Sequence, residues 1–176
     1  MQIFNDGLLA GTQVEYFTIP KNVKTLIDNP FDNGKYMKAI YVDKDNSYFT
    51  DIDGIVYSKD LKSLIIYPGN HGETYLILPD FIEYIENNAL CSSSLIKFIL
   101  IPPNVKRIGF QFYNMVALEY VNIQNKNLTS LQLSLSSTVK DKTIIHFNPI
   151  PKVSINYCYF MNISFKNLLI IIFVII

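Results

Sequence analysis

The residues best suited to acid–base or metal chemistry are two histidines and two short aspartate clusters. His71 and His146 stand alone, without further ligands at the spacing of a zinc site. The segments 43–45 and 51–54 resemble the start of a calcium loop, but each lacks the closing glutamate and the full set of oxygen ligands. We therefore expect these residues to form turns, and we expect neither a metal site nor a cofactor.

Candidate nucleophiles are equally isolated. The serines at 92–94 have no histidine nearby, and no glycine-rich phosphate-binding loop occurs. Cys91 and Cys158 allow at most one disulfide, and the preferred interpretation is a buried thiol that packs as a small hydrophobic side chain. These observations predict that the protein is not an enzyme.

The composition is that of a folded protein of moderate size. The chain has 176 residues, enough for one domain, and 49% of them are hydrophobic, which is ample for a core. Lys and Arg total 15, and so do Asp and Glu, so the basic excess of nucleic-acid-binding proteins is missing. We therefore expect no nucleic-acid partner.

A strand pattern repeats along the chain: an apolar residue, two variable residues, an apolar residue, one variable residue and a third apolar residue, often followed by proline. Copies begin at Val14, Met37, Glu73, Ile96 and Leu118, and a short copy joins Leu128, Leu131 and Leu133. The intervals from 14 to 37 and from 73 to 96 are both 23 residues, and that from 96 to 118 is 22. Such a period is typical of a leucine-rich-repeat solenoid, in which stacked units share a core.

A second motif connects the strands. The segments 20–26, 79–85 and 102–108 each contain a proline followed by two apolar residues spaced three apart. Proline ends a strand because it fixes φ and lacks an N–H, and the apolar pair then points inward from the return segment. The two motifs predict a structural core of Val14, Phe17, Ile19, Val23, Leu26, Ile40, Val42, Leu76, Leu78, Ile82, Ile85, Ile96, Ile99, Ile101, Val105, Ile108, Leu118, Val121 and Ile123.

The period breaks once, between the second and third copies. The interval from 37 to 73 is 36 residues, which exceeds one repeat of 23 by 13. The intervening sequence predicts two strands, at about 55–58 and 63–67, joined by a turn at Lys59-Asp60. We expect this hairpin to extend the solenoid wall without breaking the stack.

The expected fold is thus mainly β: a leucine-rich-repeat solenoid with repeats of about 23 residues. It has a β-hairpin insertion and short turns or 3-10 segments on its far side. We expect the solenoid at 14–133, with the insertion at about 43–72. Residues 1–13 are expected to be an N-terminal edge or the remnant of a preceding repeat, and 134–176 a degenerate tail with an apolar C-terminus.

These motifs resemble those of the BspA-like leucine-rich-repeat surface proteins of bacteria and parasitic protists. The family unit is similar to Leu-x-x-Ile-x-Ile-Pro-x-x-Val-x-x-Ile-Gly-x-x-Ala-Phe, and residues 96–113 follow it, with Phe112-Tyr113 in place of Ala-Phe. The insertion at 53–68 and the step at 91–95 also resemble family segments. The resemblance implies binding or adhesion towards host or matrix proteins at a cell surface.

The residues that flank the buried strand positions form the candidate ligand-binding face. Because side chains alternate along a strand, these residues are expected to point away from the core and to align into a largely aromatic column. Such a column favours contact with a protein or glycan, and the alternative is a cross-strand ladder that only stiffens the sheet. The predicted face consists of Tyr16, Tyr41, Tyr75, Phe98, Leu100, Tyr120 and Asn122.

The two ends of the chain bear on location. The N-terminus has neither the basic region nor the apolar run of a signal peptide, so a cytoplasmic location stays open beside the surface location that the resemblance implies. The unbroken apolar run at 168–176 has nine residues, whereas a membrane helix needs about 20. Segment 165–176 is therefore interpreted either as a packed strand or helix or as the start of a membrane segment, and not as a full span.

The leading hypothesis is a non-enzymatic binding module that serves surface adhesion or protein–protein interaction, with a protein or glycan ligand. The alternative is an intracellular scaffold, or a truncated structural repeat fragment without a ligand of its own.

Overall fold

The described part of the chain coils between a front wall and a rear wall. A computed structural model describes residues 2–5, 7–9, 11–32, 34–109, 112, 114–128 and 144–147, the last four as backbone alone. The front strands are β2 (Tyr16–Ile19), β4 (Ala39–Val42), β8 (Tyr75–Ile77), β10 (Phe98–Ile101), β12 (Tyr120–Ile123) and β13 (Ile144–Phe147). The rear strands are β1 (Gln2–Phe4), β3 (Val23–Leu26), β5 (Phe49–Ile52), β6 (Ile55–Ser58), β7 (Ser63–Ile66), β9 (Tyr84–Ile85) and β11 (Arg107–Ile108).

The front strands of the later coils pair in parallel and in register. Phe98 lies opposite Tyr75 on one side and Tyr120 on the other, which corresponds to intervals of 23 and 22 residues. The predicted mainly β solenoid is therefore confirmed. The far side consists of short strands and turns, and neither an α-helix nor a 3-10 segment occurs in the residues described.

The return from the front wall to the rear wall is a tight turn that the proline motif sets. The Val23 amide donates to the Pro20 carbonyl at 3.1 Å, and the Ile82 amide donates to the Pro79 carbonyl at the same distance. Both apolar residues are fully buried. Proline starts the turn because its φ is fixed and its missing N–H leaves no donor unpaired, and the apolar residue three positions later anchors the turn in the core.

Charged side chains reinforce the stacking of the rear wall. Glu83 lies between Lys62 of the preceding coil and Lys106 of the following coil, at 3.1 and 2.7 Å. Hydrogen bonds from Lys106 and then Lys62 lower the pKa of Glu83, because they favour the charged carboxylate. The alternation of charge along the coil axis makes adjacent coils complementary.

The insertion forms a three-stranded antiparallel meander, β5–β6–β7, one strand more than the sequence predicts. Its last strand, β7, pairs in parallel with β9, so the meander extends the rear wall. On the front wall, β2 and β4 form one sheet while β8, β10, β12 and β13 form another. The expectation that the stack continues unbroken is therefore wrong: the front wall is divided between β4 and β8, and on the rear wall β3 and β5 belong to different sheets.

The break arises because the β5–β6 hairpin occupies the edge of β4. The Ile40 amide donates to the Gly54 carbonyl at 2.8 Å, and the Val42 amide donates to the Asp51 carboxylate at 2.7 Å. These bonds use the β4 donors on the side where the next front strand would pair. We call the meander, residues 49–66, the septum.

The septum separates two hydrophobic cores. Val56 and Ile66 pack into the core of the first coils, with Ile19, Val23 and Ile40. On its opposite face Tyr57 and Leu64 pack into the larger core of the later coils, together with Tyr67, which directly follows the septum. Burial on both faces explains why β6 and β7 consist of nearly continuous apolar residues instead of alternating apolar and polar ones.

A two-residue turn closes the hairpin at the tip of the septum. Ile52 pairs with Ile55, and both residues between them, Asp53 and Gly54, have positive φ, at 51° and 76°. This is the type I′ geometry that suits the twist of a hairpin. A Cβ on Gly54 would lie 2.4 Å from the Ala39 Cβ, so the approach to β4 also requires glycine.

Asn46 explains where the second coil leaves the repeat pattern. It lies three residues after Asp43, where other coils carry the buried valine or isoleucine, and its own relative exposure is 1%. Its amide donates to the carbonyls of Pro20 and Val23, both at 3.0 Å, and its oxygen accepts from the amides of Tyr48 and Phe49 at 2.8 and 2.9 Å. A polar side chain is stable there because these bonds satisfy it fully, and they turn the chain into β5.

The predicted core residues lie mostly inside. Fifteen of the nineteen are buried, and the other four, Val14, Phe17, Leu26 and Val42, are partly buried against the smaller core. Beyond them, β13 pairs with β12 in parallel, with Tyr120 opposite Ile144, so a front strand lies within the stretch interpreted as a degenerate tail. Leu131 and Leu133 of the short last copy, Cys158 and segment 165–176 lie outside the described residues.

Candidate ligand-binding surface

The two predicted face residues of the first coils are exposed. Tyr16 on β2 has 56% relative exposure and Tyr41 on β4 has 46%. The strands are in register, with Tyr16 opposite Ala39 and Thr18 opposite Tyr41, so the two tyrosines are diagonal neighbours on one sheet face. Each presents a large amphipathic ring to solvent.

A charged pair adjoins the tyrosines. Lys38 donates to Glu15 at 2.7 Å, and its ammonium lies 6.0 Å from the centroid of the Tyr16 ring. The hydrogen bond to Glu15 raises the pKa of Lys38, since it favours the charged form. We call the surface formed by Tyr16, Thr18, Lys38 and Tyr41 the tyrosine patch. Glu15 and Lys38 were not among the residues predicted for this face, although their separation of 23 residues equals the repeat period.

The predicted face residues of the later coils differ in exposure. Tyr75 and Tyr120 are partly buried, whereas Phe98, Leu100 and Asn122 are buried, with 8%, 3% and 1% exposure. The expectation that these last three side chains point into solvent is wrong. Strand alternation shows only that these side chains point to the sheet face opposite to that of Ile99, Ile101 and Val121. It does not show that this face is exposed to solvent.

Close packing between neighbouring strands contributes to this burial. Phe98 stacks on Tyr120 with the ring centroids 5.4 Å apart and the planes inclined by 12°. Tyr75 flanks Phe98 on its other side at the same register, and Leu100 likewise lies between Ile77 and Asn122. The contact has the geometry of a cross-strand ladder, the stabilising role considered above as the alternative to binding.

The septum also divides the predicted aromatic column. Tyr16 and Tyr41 belong to the β2–β4 sheet, whereas Tyr75, Phe98 and Tyr120 belong to the β8–β13 sheet. The column is therefore not continuous, and the exposed part that remains is the tyrosine patch.

The candidates for chemistry that the structure describes make structural contacts. His71 Nε2 lies 2.9 Å from the Asp53 carbonyl and Nδ1 lies 3.3 Å from the Tyr67 hydroxyl. These contacts connect the tip of the septum with the segment that precedes β8. Asp43 accepts from the Asp45 amide at 2.9 Å, as a turn residue does. Ser92 donates to Asp32 at 2.8 Å. Within the described ranges, no group of three or more His, Cys, Asp or Glu side chains could hold a metal ion.

Tyr57 of the septum and Tyr67, which directly follows it, have raised pKa values. Burial, followed by the charge of Asp53, raises the pKa of Tyr57 to about 12. Burial likewise raises the pKa of Tyr67. Both shifts follow from removing a phenolate from water, and they report on packing of the septum rather than on catalysis.

Comparison with known proteins identifies the repeat. A family model described as BspA type leucine rich repeat region (6 copies) matches residues 2–138 and 70–173. No curated protein matches the sequence. No helix in the described part of the chain is long and apolar enough to cross a membrane.

Two solved structures are similar in fold. A leucine-rich repeat protein from Eubacterium ventriosum ATCC 27560 shares 22% identity with a TM-score of 0.53, over 65% of this chain and 37% of its own. A leucine rich cell surface protein from Faecalibacterium prausnitzii A2-165 shares 20% identity with a TM-score of 0.56, over 69% of this chain and 38% of its own. The chain therefore matches somewhat over a third of the length of either protein. With the family match spanning most of the sequence, the chain belongs to the BspA-type leucine-rich-repeat family.

Proposed function

We propose that this protein is a non-enzymatic binding module that engages a protein or glycan ligand at a cell surface through the tyrosine patch. The observation that carries the proposal is the pair of neighbouring exposed rings, Tyr16 and Tyr41, on an ordered parallel sheet. Tyrosine gives a large contact area with only two side-chain torsions to restrict, and it is enriched where proteins bind one another.

Three features support this proposal. The strands beneath the patch are held by the core that includes Ile19 and Ile40, so the rings project from a rigid base. Lys38 and Glu15 add polar groups at the edge of the patch, which fits the usual anatomy of an apolar centre with a polar rim. The surface location rests on family membership and on the description of the Faecalibacterium protein as a cell surface protein.

A second candidate function, a structural repeat without a ligand of its own, is favoured by the buried stack of Phe98 on Tyr120. In that case the aromatic side chains serve coil packing alone. The two functions differ in what loss of the exposed rings does.

The proposal is tested by binding of the purified chain to fibronectin, laminin, fibrinogen and mucin glycans immobilised on separate sensors. Each interfacial tyrosine typically contributes on the order of 1–2 kcal/mol, so Tyr16→Ser combined with Tyr41→Ser should weaken binding roughly 30-fold or more. Tyr36→Ser is the matched control, because Tyr36 is also exposed, at 38%, but lies outside the front strands.

Urea denaturation of both variants separates lost contact from lost stability. Unchanged affinity of the double variant, or no binding to any of the four probes, would refute the assignment to the patch. Antibody staining of intact and permeabilised native cells tests the location, and signal that is seen only after permeabilisation contradicts the surface assignment.

A further inference from the structure

The rear wall is interrupted where the septum begins, and a groove follows the interruption. β3 ends the two-stranded sheet that contains β1, and β5 ends the five-stranded sheet of the later coils. Two clefts, of about 460 and 300 Å³, adjoin this gap, and Lys24 lines both of them. Together the clefts are lined by residues of the β3 segment between Lys21 and Asp28. The groove is about one short strand in length.

Backbone groups of β3 face this groove. The Ile27 amide donates to the Phe4 carbonyl at 2.9 Å, so the backbone of Thr25 and Ile27 points towards β1. Alternation along the strand then directs the N–H and C=O of Leu26 the other way, into the cleft that Leu26 lines. No described residue pairs with these two groups. An unpaired strand edge of this kind is a template for an added strand.

One end of the groove is positively charged. Lys21 and Lys24 line the larger cleft with Asn22 and Ser47, and neither lysine forms an ion pair within the described residues. The Lys24 ammonium lies 5.5 Å from the centroid of the Tyr48 ring, which holds it at the junction of the clefts. By contrast, lysines beside the other rear strands, such as Lys62 and Lys106, contact Glu83.

The other end of the groove presents three apolar side chains among polar ones. Leu26, Phe49 and Ile65 line the smaller cleft, together with Lys24, Thr25, Asp28 and Asn87. Glu86 also lines it but contacts Arg107 at 2.8 Å and accepts from Ser63 at 3.1 Å. Charge complementarity therefore places an acidic ligand residue at the lysine end and an aliphatic one beside Phe49 and Ile65.

We propose that this groove binds a short extended peptide of a partner protein, which pairs with the open edge of β3. A carboxylate of the peptide lies between Lys21 and Lys24, and an aliphatic side chain packs beside Phe49 and Ile65. Backbone hydrogen bonds supply affinity, and the charged and apolar ends fix the direction of the peptide. This site is on the rear wall and is independent of the tyrosine patch.

The probe for this proposal is a phage-displayed library of random heptapeptides, selected on the full chain. Enriched sequences are expected to combine Asp or Glu with Val, Ile or Leu. A fluorescent peptide of the enriched sequence should bind roughly 10-fold more weakly to Lys24→Glu, since the reversal replaces one attraction with a repulsion. Lys59→Glu, in an exposed turn of the septum, is the matched control and should leave affinity unchanged.

Two further measurements make the test decisive. Only every second amide of a peptide that pairs along one edge bonds to the neighbouring strand. N-methylation of that set of amides should abolish binding, whereas N-methylation of the other set should leave binding intact. The variant with Tyr16→Ser and Tyr41→Ser should bind the peptide normally, so failure of the tyrosine patch is distinguishable from failure of the groove. Absence of enrichment, full affinity of Lys24→Glu, or Lys24-dependent binding of heparin without any peptide selection would each overturn the proposal.

Discussion

The contact between Gly54 and Ala39 gives the sharpest test of how the septum joins the front wall. Gly54 has a φ of 76°, and a Cβ placed on it would lie 2.4 Å from the Ala39 Cβ and 3.0 Å from the Ala39 Cα. The left-handed conformation costs a non-glycine residue about 1–2 kcal/mol. Overlap with packed backbone typically adds about 1–3 kcal/mol. Gly54→Ala should therefore destabilise the protein by about 2–5 kcal/mol.

Gly11→Ala provides the matched control. Gly11 has nearly the same φ, 74°, but an added Cβ would meet nothing within 4 Å. Only the conformational cost of about 1–2 kcal/mol is expected there. Urea unfolding followed by far-ultraviolet circular dichroism measures both, and for a urea m-value of about 1–3 kcal/mol/M the Gly54→Ala midpoint should fall by roughly 1–3 M.

A double-mutant cycle isolates the steric contact. Ala39→Gly removes the partner atom at 2.4 Å, so the Gly54→Ala and Ala39→Gly pair should be at least ~1 kcal/mol more stable than the sum of the single changes predicts. Equal losses of stability for Gly54→Ala and Gly11→Ala would show that Gly54 of the septum does not pack closely against Ala39 of β4. Strict additivity in the cycle would show the same.

Three further predictions concern the septum and the rear wall. Asn46→Val, which restores the repeat pattern, should lower stability by about 2–4 kcal/mol in urea unfolding, because it removes four hydrogen bonds between the side-chain amide and the backbone, and only the Pro20 carbonyl keeps its bond from the Val23 amide. Greater stability would contradict this account. Glu83→Gln should be destabilising at neutral pH and should lose this effect in acid. The pKa of Glu83 is lowered in the folded state, so the contribution of its carboxylate to stability is present above the unfolded value of about 4.3 and is lost as pH falls through the folded value. A pH-independent difference in urea midpoint between wild type and variant would exclude the Lys106 and Lys62 contacts as the source of the effect. Tyr57→Phe should make stability fall less steeply between about pH 10 and 12. The raised pKa of Tyr57 stabilises the folded state below the unfolded value of about 10, and this contribution is lost as pH rises towards the folded value of about 12. Equal slopes of stability against pH for wild type and variant would refute burial of the phenol.

The septum changes what the repeat presents to solvent. A regular solenoid would place one front strand beside the next, and its flanking residues would form a single column. Here the hairpin tip takes the β4 donors, so the front wall is divided after the second coil. The same insertion leaves β3 and β5 as sheet ends on the rear wall and thereby creates the groove beside Lys24. One local insertion thus shapes both proposed binding surfaces.

The sequence predicted two strands of the septum, but not its first strand or the strands with which the septum pairs. Ile55–Ser58 and Ser63–Ile66 are strands joined by a turn, in agreement with the apolar runs and the polar residues between them. The strand Phe49–Ile52 was missed, since it has only one buried residue, Phe49, and its register depends on the tertiary contacts of Asn46. The local pattern of apolar residues predicts which segments form strands. Which strand pairs with a given edge depends on contacts between residues that are distant in the sequence.

The sequence by itself determined the coil period, the front strands from β2 to β12 and the inward residues such as Ile19, Ile99 and Val121, because each coil buries the same positions against the next. Only the tertiary structure decided which flanking residues meet water. Tyr16 and Phe98 occupy the same place in the repeat, yet one is 56% exposed and the other 8%. The physical reason is that exposure depends on what lies over and beside a strand, and a residue's own repeat position does not specify that.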